Sequence, residues 1–208
     1  MTQKPETSED VRVRRTRKLL QQAFIELTVE KGFAALTVRD ITERAMVNRS
    51  TFYRHYLDKY DLLEQYMNEL YEIIEDQSVL EEKLAPTSPE QPSSLVKLLK
   101  HIQQFGDFYR VMLGPKGDPL FAQRFRQNTE RRFRLLFALV GTETASNAPP
   151  AELLLKCLSY AGVGGLVWWL EQEQPCSPEQ LAIWFGQLSS SIVGPSVKQA
   201  EHNRQRER

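Results

Sequence analysis

Apolar residues recur three and four positions apart along most of the chain, and period-two runs of β-branched residues are almost lacking. That pattern is the signature of an all-α protein. Leu19, Leu20, Ala23, Phe24 and Leu27 make one stripe, which predicts a first helix from about Val11 to Lys31 with Gly32 as its stop. Thr37 precedes a second periodic stretch and Asp40 follows three residues later, an acidic variant of the capping box. A short helix opening there turns Val38, Ile41 and Ala45 inward. Asn48 is a good N-cap for a third short helix through about Tyr56. Asp58 caps a long fourth helix, from Lys59 to about Leu84, with Leu62, Leu63, Tyr66, Leu70 and Ile73 on its apolar face.

The stretch APTSPEQPSS, residues 85 to 94, breaks the periodicity with three prolines and reads as a surface connection. Helices are expected beyond it near 94 to 112, interrupted at Gly106, and at 118 to 140, 150 to 173 and 178 to 193, punctuated by Pro115, Pro149, Pro150, Pro175 and Pro178. The expected organisation is a disordered arm at 1–10, three helices at 11–57, a helical body at 58–197 entered by the long fourth helix, and a disordered tail at 198–208. That makes about nine helices in all.

Composition narrows the class. With 41% hydrophobic and 26% charged residues the chain is far from the disordered regime and can bury a sizeable core. Its formal charge is zero, yet residues 1 to 60 hold 12 Lys and Arg against 8 Asp and Glu, so the front is basic and the remainder acidic. The sign suits a front end that meets nucleic acid. The polar start MTQKPETSED has no apolar signal region, which suggests a cytoplasmic protein, and no run reaches roughly 18 apolar residues, so no membrane span is expected. Cys157 and Cys176 have no CxxC or His partner and read as core or surface thiols. His55, His101 and His202 are scattered, and no nucleotide-loop, zinc-protease or Ser/His/Asp pattern appears. Neither an enzyme nor a cofactor or metal site is indicated.

Residues 37 to 63, TVRDITERAMVNRSTFYRHYLDKYDLL, carry the sharpest signal. Phe52 and Tyr56 are four apart and should face the first two helices, leaving Arg49, Ser50, Thr51, Tyr53, Arg54 and His55 outward or sideways. Arginine bonds guanine bidentately, a threonine methyl contacts thymine, and hydroxyls and lysines bind phosphate oxygens. A solvated face on an ordinary helical bundle has the same polarity, and the residues alone leave both readings open.

Residues 12 to 63 resemble the DNA-binding domain of TetR/AcrR-family regulators: a long first helix, L-T-x-x-x-I-x-x-x-A at Leu36 to Ala45, T-F-Y-R-H-Y at 51 to 56, then Asp58-Lys59 and Leu62-Leu63. The resemblance implies a helix-turn-helix reader of double-stranded DNA. By position, Arg49, Ser50, Thr51 and His55 approach base edges with Arg54 as a further candidate, Thr37, Tyr53 and Lys59 hold phosphates, and Arg39 is another DNA-facing candidate. The chain departs from the family at Met46, where the turn usually has Gly, and at Ser50, where Gly is common. The basic cluster Arg12, Arg14, Arg15, Arg17 and Lys18 is an additional candidate for the DNA backbone or minor groove, or a plain solvated face.

Family members join such a domain to a helical one that dimerises and often holds a small ligand. The ending YAGVGGLVWWLEQEQPCSPEQLAIWFGQL, 160 to 188, is similar to one C-terminal class of the family. Gly162, Gly164 and Gly165 allow close helix approach, and Trp168, Trp169, Trp184 and Phe185 offer aromatic area for a homodimer interface or for the monomer core. Phe105, Phe108, Tyr109, Phe121, Phe125, Phe133, Phe137 and Tyr160 recur at helical spacings, as either plain core or the lining of a pocket for an apolar or amphipathic ligand. The resemblance implies a repressor that binds a pseudo-palindromic operator as a dimer and is released by a ligand; the alternative is an activator or a regulator controlled by a partner.

Overall fold

The structure, a computed structural model, describes residues 8–84, 93–140 and 149–191. Among these all the regular structure is helical, with no strand. The first helix, α1 (Ser8–Lys31), begins three residues earlier than its apolar stripe suggests. It buries Leu20, Ala23, Phe24 and Leu27, whereas Leu19 is 40% exposed and does not belong to the stripe. The helix ends at Gly32, whose φ of 82° lies in the left-handed region that glycine enters without steric cost.

Helices α2 (Val38–Arg44), α3 (Arg49–Phe52) and α4 (Lys59–Leu84) follow. At Thr37 the expected capping box is complete: its Oγ1 accepts the Asp40 N–H at 3.2 Å while Asp40 Oδ2 accepts the Thr37 N–H at 2.9 Å. Asp58 caps α4 by accepting the N–H groups of Tyr60 and Asp61. Leu62, Leu63, Tyr66 and Leu70 are buried as read from the sequence; Ile73 lies outside the described side chains.

The second half contains α5 (Ser93–Gln104), α6 (Gly106–Leu113), α7 (Pro119–Val140) and α8 (Ala151–Glu171). A ninth helix covers 178–191. The break at Gly106 separates α5 from α6, as the sequence suggests. Helices α7 and α8 make the most extensive pair, and α6 touches α1, α5, α7 and α8. Helix α6 is therefore the hub of the body. Phe108 on α6 meets Phe24 of α1 edge to face at 5.8 Å, and Arg110 of α6 donates from Nε and Nη2 to the Leu170 carbonyl at the end of α8, at 3.1 and 2.9 Å. One connected apolar core thus runs from α1 to the ninth helix.

Helix α8 is long and apolar enough to cross a membrane by length and composition alone, a property that the core helix of a helical bundle shares. Its apolarity has a local cause. One face, with Leu154, Leu155, Leu158, Leu166, Trp169 and Leu170, is packed against the core, and Leu153, Tyr160 and Trp168 add apolar residues on the exposed side.

Candidate nucleic-acid interface

Helix α2, a turn and the segment from Arg49 onward form a helix-turn-helix. Arg44 holds α2 to α1 with a bidentate pair, Nη1 and Nη2 each 2.7 Å from the Glu30 carboxylate, supplemented by Glu26 at 3.3 Å. The pair holds the Glu30 carboxyl below its ordinary value. Lys31 reaches Asp40 at 2.8 Å, and together with the Thr37 bonds it lowers the Asp40 carboxyl to about 2. Two charged tethers therefore fix α2 against α1. The sequence reading missed Arg44; the signal was Glu26 and Glu30 on one face of α1, four residues apart.

Met46 carries the turn with φ at 53° and is 92% exposed. A non-glycine residue held in this region costs roughly 1 to 2 kcal/mol. The side chain contributes no burial in return. The turn keeps the left-handed geometry, and the strain is borne by Met46.

Regular helix is confined to Arg49–Phe52, shorter than the expected 48 to 56, and turns continue through His55. Asn48 occupies the N-cap position without a side-chain cap bond. Phe52 and Tyr56 are fully buried, which orients the segment as the spacing requires. Arg49, Ser50, Tyr53 and Arg54 are exposed, and Thr51 and His55 are half-buried beside them. Arg54 Nη2 donates to Thr51 Oγ1 at 3.1 Å, so these two act as one polar unit. Burial, then Arg17 and Arg54, push the His55 imidazole down, which favours its neutral form. Its ring offers one donor and one acceptor.

Thr37 and Arg39 are exposed on the adjoining helix start, but both already have partners. Thr37 Oγ1 donates to Asp40 Oδ2 at 2.6 Å and Arg39 Nε donates to Glu43 at 2.7 Å. Lys59 departs furthest from its expected place. Its Nζ donates to the carbonyls of Phe33, Ala34 and Leu36 at 2.9, 3.1 and 2.8 Å and sits 4.8 Å from the Phe33 ring centre. All three protons of the ammonium are used inside the chain. The expected phosphate ligand is, in this structure, a clamp on the loop that joins α1 to α2.

In the basic cluster of α1, Arg12, Arg14, Arg15 and Lys18 are exposed, while Arg17 is half-buried and 3.8 Å from Glu69 of α4.

The comparisons with known proteins agree with this geometry. Residues 20–66 match the family described as bacterial regulatory proteins of the tetR family, and residues 90–191 match a family of transcriptional regulator C-terminal regions, TetR_C_8. The chain belongs to the TetR family. A TetR transcriptional regulator from Streptococcus agalactiae 2603V is 29% identical, with a TM-score of 0.65 over 87% of this chain and 97% of that one. The dihydroxyacetone kinase operon activator DhaS shares the fold at 19% identity and a TM-score of 0.62, covering 87% and 97%. FadR from Bacillus subtilis, in complex with stearoyl-CoA, shares it at 14% identity and 0.59, covering 85% and 98%. The uncharacterized HTH-type transcriptional regulator YxbF of Bacillus subtilis (strain 168) is 46% identical over 56 residues, which span 26% of this chain and only 15% of that protein. As a TetR-family member the chain is a DNA-binding transcriptional regulator.

For a TetR-family body, the residues expected at a ligand pocket and at a dimer interface sort differently from their sequence reading. Phe108, Tyr109, Phe121 and Phe125 come together, but ring on ring: centroid distances among them run from 5.5 to 6.2 Å and all four are buried. They fill core volume. Phe105 and Phe133 are half-buried, Tyr160 is 60% exposed with Arg126 stacked 5.2 Å from its ring centre, and Phe137 lies outside the described side chains. His101 is enclosed in the same group, 3.2 Å from Tyr66 Oη, and burial pushes it down to about 4.

Trp169 is fully buried within the chain, its Nε1 donating to the Cys176 carbonyl at 2.9 Å, so it is a core residue. Gly165 serves the packing of α8 on the ninth helix, since a Cβ there would stand 2.6 Å from the Phe185 ring. Gly162 lies against Thr129 and Phe133 of α7. The large apolar side chains left exposed on these two helices are Leu153, Tyr160 and Trp168 on α8 and Trp184 and Leu188 on the ninth helix. Each of these is at least 40% exposed.

Among the described residues no group of three or more His, Cys, Asp or Glu is placed to hold a metal.

Proposed function

We propose that the protein is a repressor that binds a pseudo-palindromic operator as a homodimer, placing one Arg49–Tyr56 segment in each of two successive major grooves. The observation that carries this reading is the division of that segment: Phe52 and Tyr56 are buried while Arg49, Ser50, Tyr53 and Arg54 face solvent. Arg49, Ser50, Thr51, Arg54 and His55 are the base-reading set. Tyr53, Thr37 and Arg39 take backbone positions, where Arg39 exchanges Glu43 for a phosphate. Exposed ion pairs are worth about 1 kcal/mol or less, so that exchange is cheap. Lys59 supports the reader from within.

The homodimer forms through α8 and the ninth helix. Leu153, Tyr160 and Trp168 recur seven and eight residues apart, hence on one helical face, and Trp184 and Leu188 extend it. Apolar patches of this kind mark association surfaces. Two helices from each chain make a four-helix interface with twofold symmetry, the symmetry of a palindrome. The place of work is then the cytoplasm, where the DNA is.

Release follows when a small ligand in the body moves α4, which begins three residues after the reader ends, and changes the spacing of the two readers. Control by a partner protein, or activation, is the second reading; the ring-on-ring packing of Phe108, Tyr109, Phe121 and Phe125 favours it, because those rings fill the volume that a pocket lined by them would need. Selecting bound sequences from random DNA with the purified protein tests the central reading. A twofold-symmetric site with half-sites about one or more helical turns apart is expected; enrichment of no sequence would overturn it.

A further inference from the structure

Helix α6 is gripped by the end of α8. Arg110 donates from Nε and Nη2 to the Leu170 carbonyl at 3.1 and 2.9 Å, and its remaining guanidinium nitrogen is paired with Asp107. The Leu170 carbonyl is among the last four of α8, where the helix dipole favours a cation. Beside it, Gln174 lies directly on the backbone of Gly106, where a Cβ would stand 2.5 Å from Gln174 Nε2. Gly106 is the first residue of α6. The turn after α8 therefore holds the start of α6, and Arg110 holds its middle.

That turn is strained. Glu173 and Gln174 follow one another at φ 56° and 59°, in the left-handed region, and neither is glycine. Strain of this kind persists only where the surroundings impose it, and it collects at the working parts of a molecule. The strained Gln174 is the residue that touches Gly106. The other side of α6 meets the helices that carry the reader. Phe108 packs edge to face on Phe24 of α1 at 5.8 Å and on Tyr66 of α4 at 6.0 Å. The turn after α6 is closed so tightly that a Cβ on Gly117 would stand 2.1 Å from the Met112 carbonyl oxygen. It abuts the end of α1, since a Cβ on Gly32 would lie 3.5 Å from the Lys116 carbonyl oxygen.

We propose that Arg110 and Gln174 are positioning residues for DNA recognition. They fix α6 to the end of α8, and α6 in turn fixes the tilt of the DNA-binding domain relative to α8 and the ninth helix. Neither residue touches DNA. A short helix anchored on opposite sides has no slack of its own, so its placement is shared by both ends. In a dimer built on α8 and the ninth helix, that tilt sets the distance between the two readers. This consequence for the operator rests on the dimeric function proposed above; the joint within one chain does not.

The joint is tested without DNA by double electron–electron resonance in the full chain. Spin labels are placed on Ser50→Cys and on the exposed native Cys157, in a Cys176→Ser background, with labelled chains diluted into unlabelled protein so that the distance is read within one chain. A single narrow distance is expected, and Arg110→Ala and Gln174→Gly should each widen it. Gln174→Gly separates positioning from stability. Glycine takes φ 59° without strain, so its melting temperature should equal or exceed that of the parent while the distance widens. The consequence for DNA is read by anisotropy titration on operators whose half-sites are moved by single base pairs, each step turning one half-site by roughly 35°. The parent should lose at least about tenfold in affinity one step from its optimum, and each variant only about threefold. General destabilisation would weaken binding to every operator by one factor and keep the shape of that profile. An unchanged distance width, or a spacing profile of unaltered shape, in either variant would overturn the proposal. A protein that recovers no operator loses the proposed function, and the spin-label distances still decide the joint.

Discussion

The ammonium of Lys59 donates to the carbonyl oxygen of Leu36 at 2.8 Å, so the first residue of α4 holds the residue that leads into the α2 cap. With the Phe33 and Ala34 carbonyls it closes the α1–α2 loop onto the start of the helix that enters the body. Burial pushes the Lys59 amine down, and the nearby Asp118 and Asp58 carboxylates offset part of that. A charge placed at a helix N-terminus opposes the dipole, and three carbonyl partners resolve the conflict.

Lys59→Met should therefore lower stability by about 2 kcal/mol, since it removes charged hydrogen bonds from a partly buried site. Denaturant unfolding measures this. The salt dependence of DNA binding should keep its slope, whereas a lysine that neutralises a phosphate would reduce it by about one unit.

Met46→Gly should raise stability by about 1 kcal/mol, because the residue sits at φ 53° with its side chain in solvent. Thermal unfolding of the two proteins under one condition decides it. An equal or lower midpoint would mean that the exposed methionine contributes something the structure does not contain.

The Asp40 carboxyl is lowered to about 2 by Lys31 and by both groups of Thr37. Its folded value is below its unfolded value near 3.9, so its contribution is complete above about pH 4 and is lost as pH falls toward 2. The difference in melting temperature between the protein and Asp40→Asn should be constant from pH 7 to 5 and shrink between pH 4 and 2.

On α8, neighbours Trp168 and Trp169 should behave oppositely. Trp168→Glu combined with Leu188→Glu should give a folded monomer by sedimentation, because both side chains are exposed in the single chain. Trp169→Ala should cost about 3 to 5 kcal/mol of stability, because that ring is fully buried and its N–H is bonded to Cys176.

The helices were legible because their punctuation is chemical: Gly32, the Thr37 and Asp40 box, Asp58, Gly106 and the prolines all mark real ends. The inward face of the reader was legible for the same reason, since Phe52 and Tyr56 stand four apart and both are buried. Tertiary partners were not. Periodicity says that Trp168 and Trp169 both lie on an apolar helix, yet only the ninth helix and the Cys176 carbonyl decide which one turns inward. Lys59 and Arg44 find their partners 23 and 14 residues away, across a loop whose path no local pattern fixes.

The most direct measurement is a titration, by fluorescence anisotropy, of the operator recovered by selection, comparing the protein with a variant carrying Arg49→Ala and Tyr53→Ala. Both side chains are exposed in the reader, so the dimer and its melting temperature should be unchanged. Specific affinity should fall by at least about a hundredfold, as expected when a base contact and a phosphate contact are removed together. Equal affinity for the operator would contradict the assignment of this segment as the DNA reader.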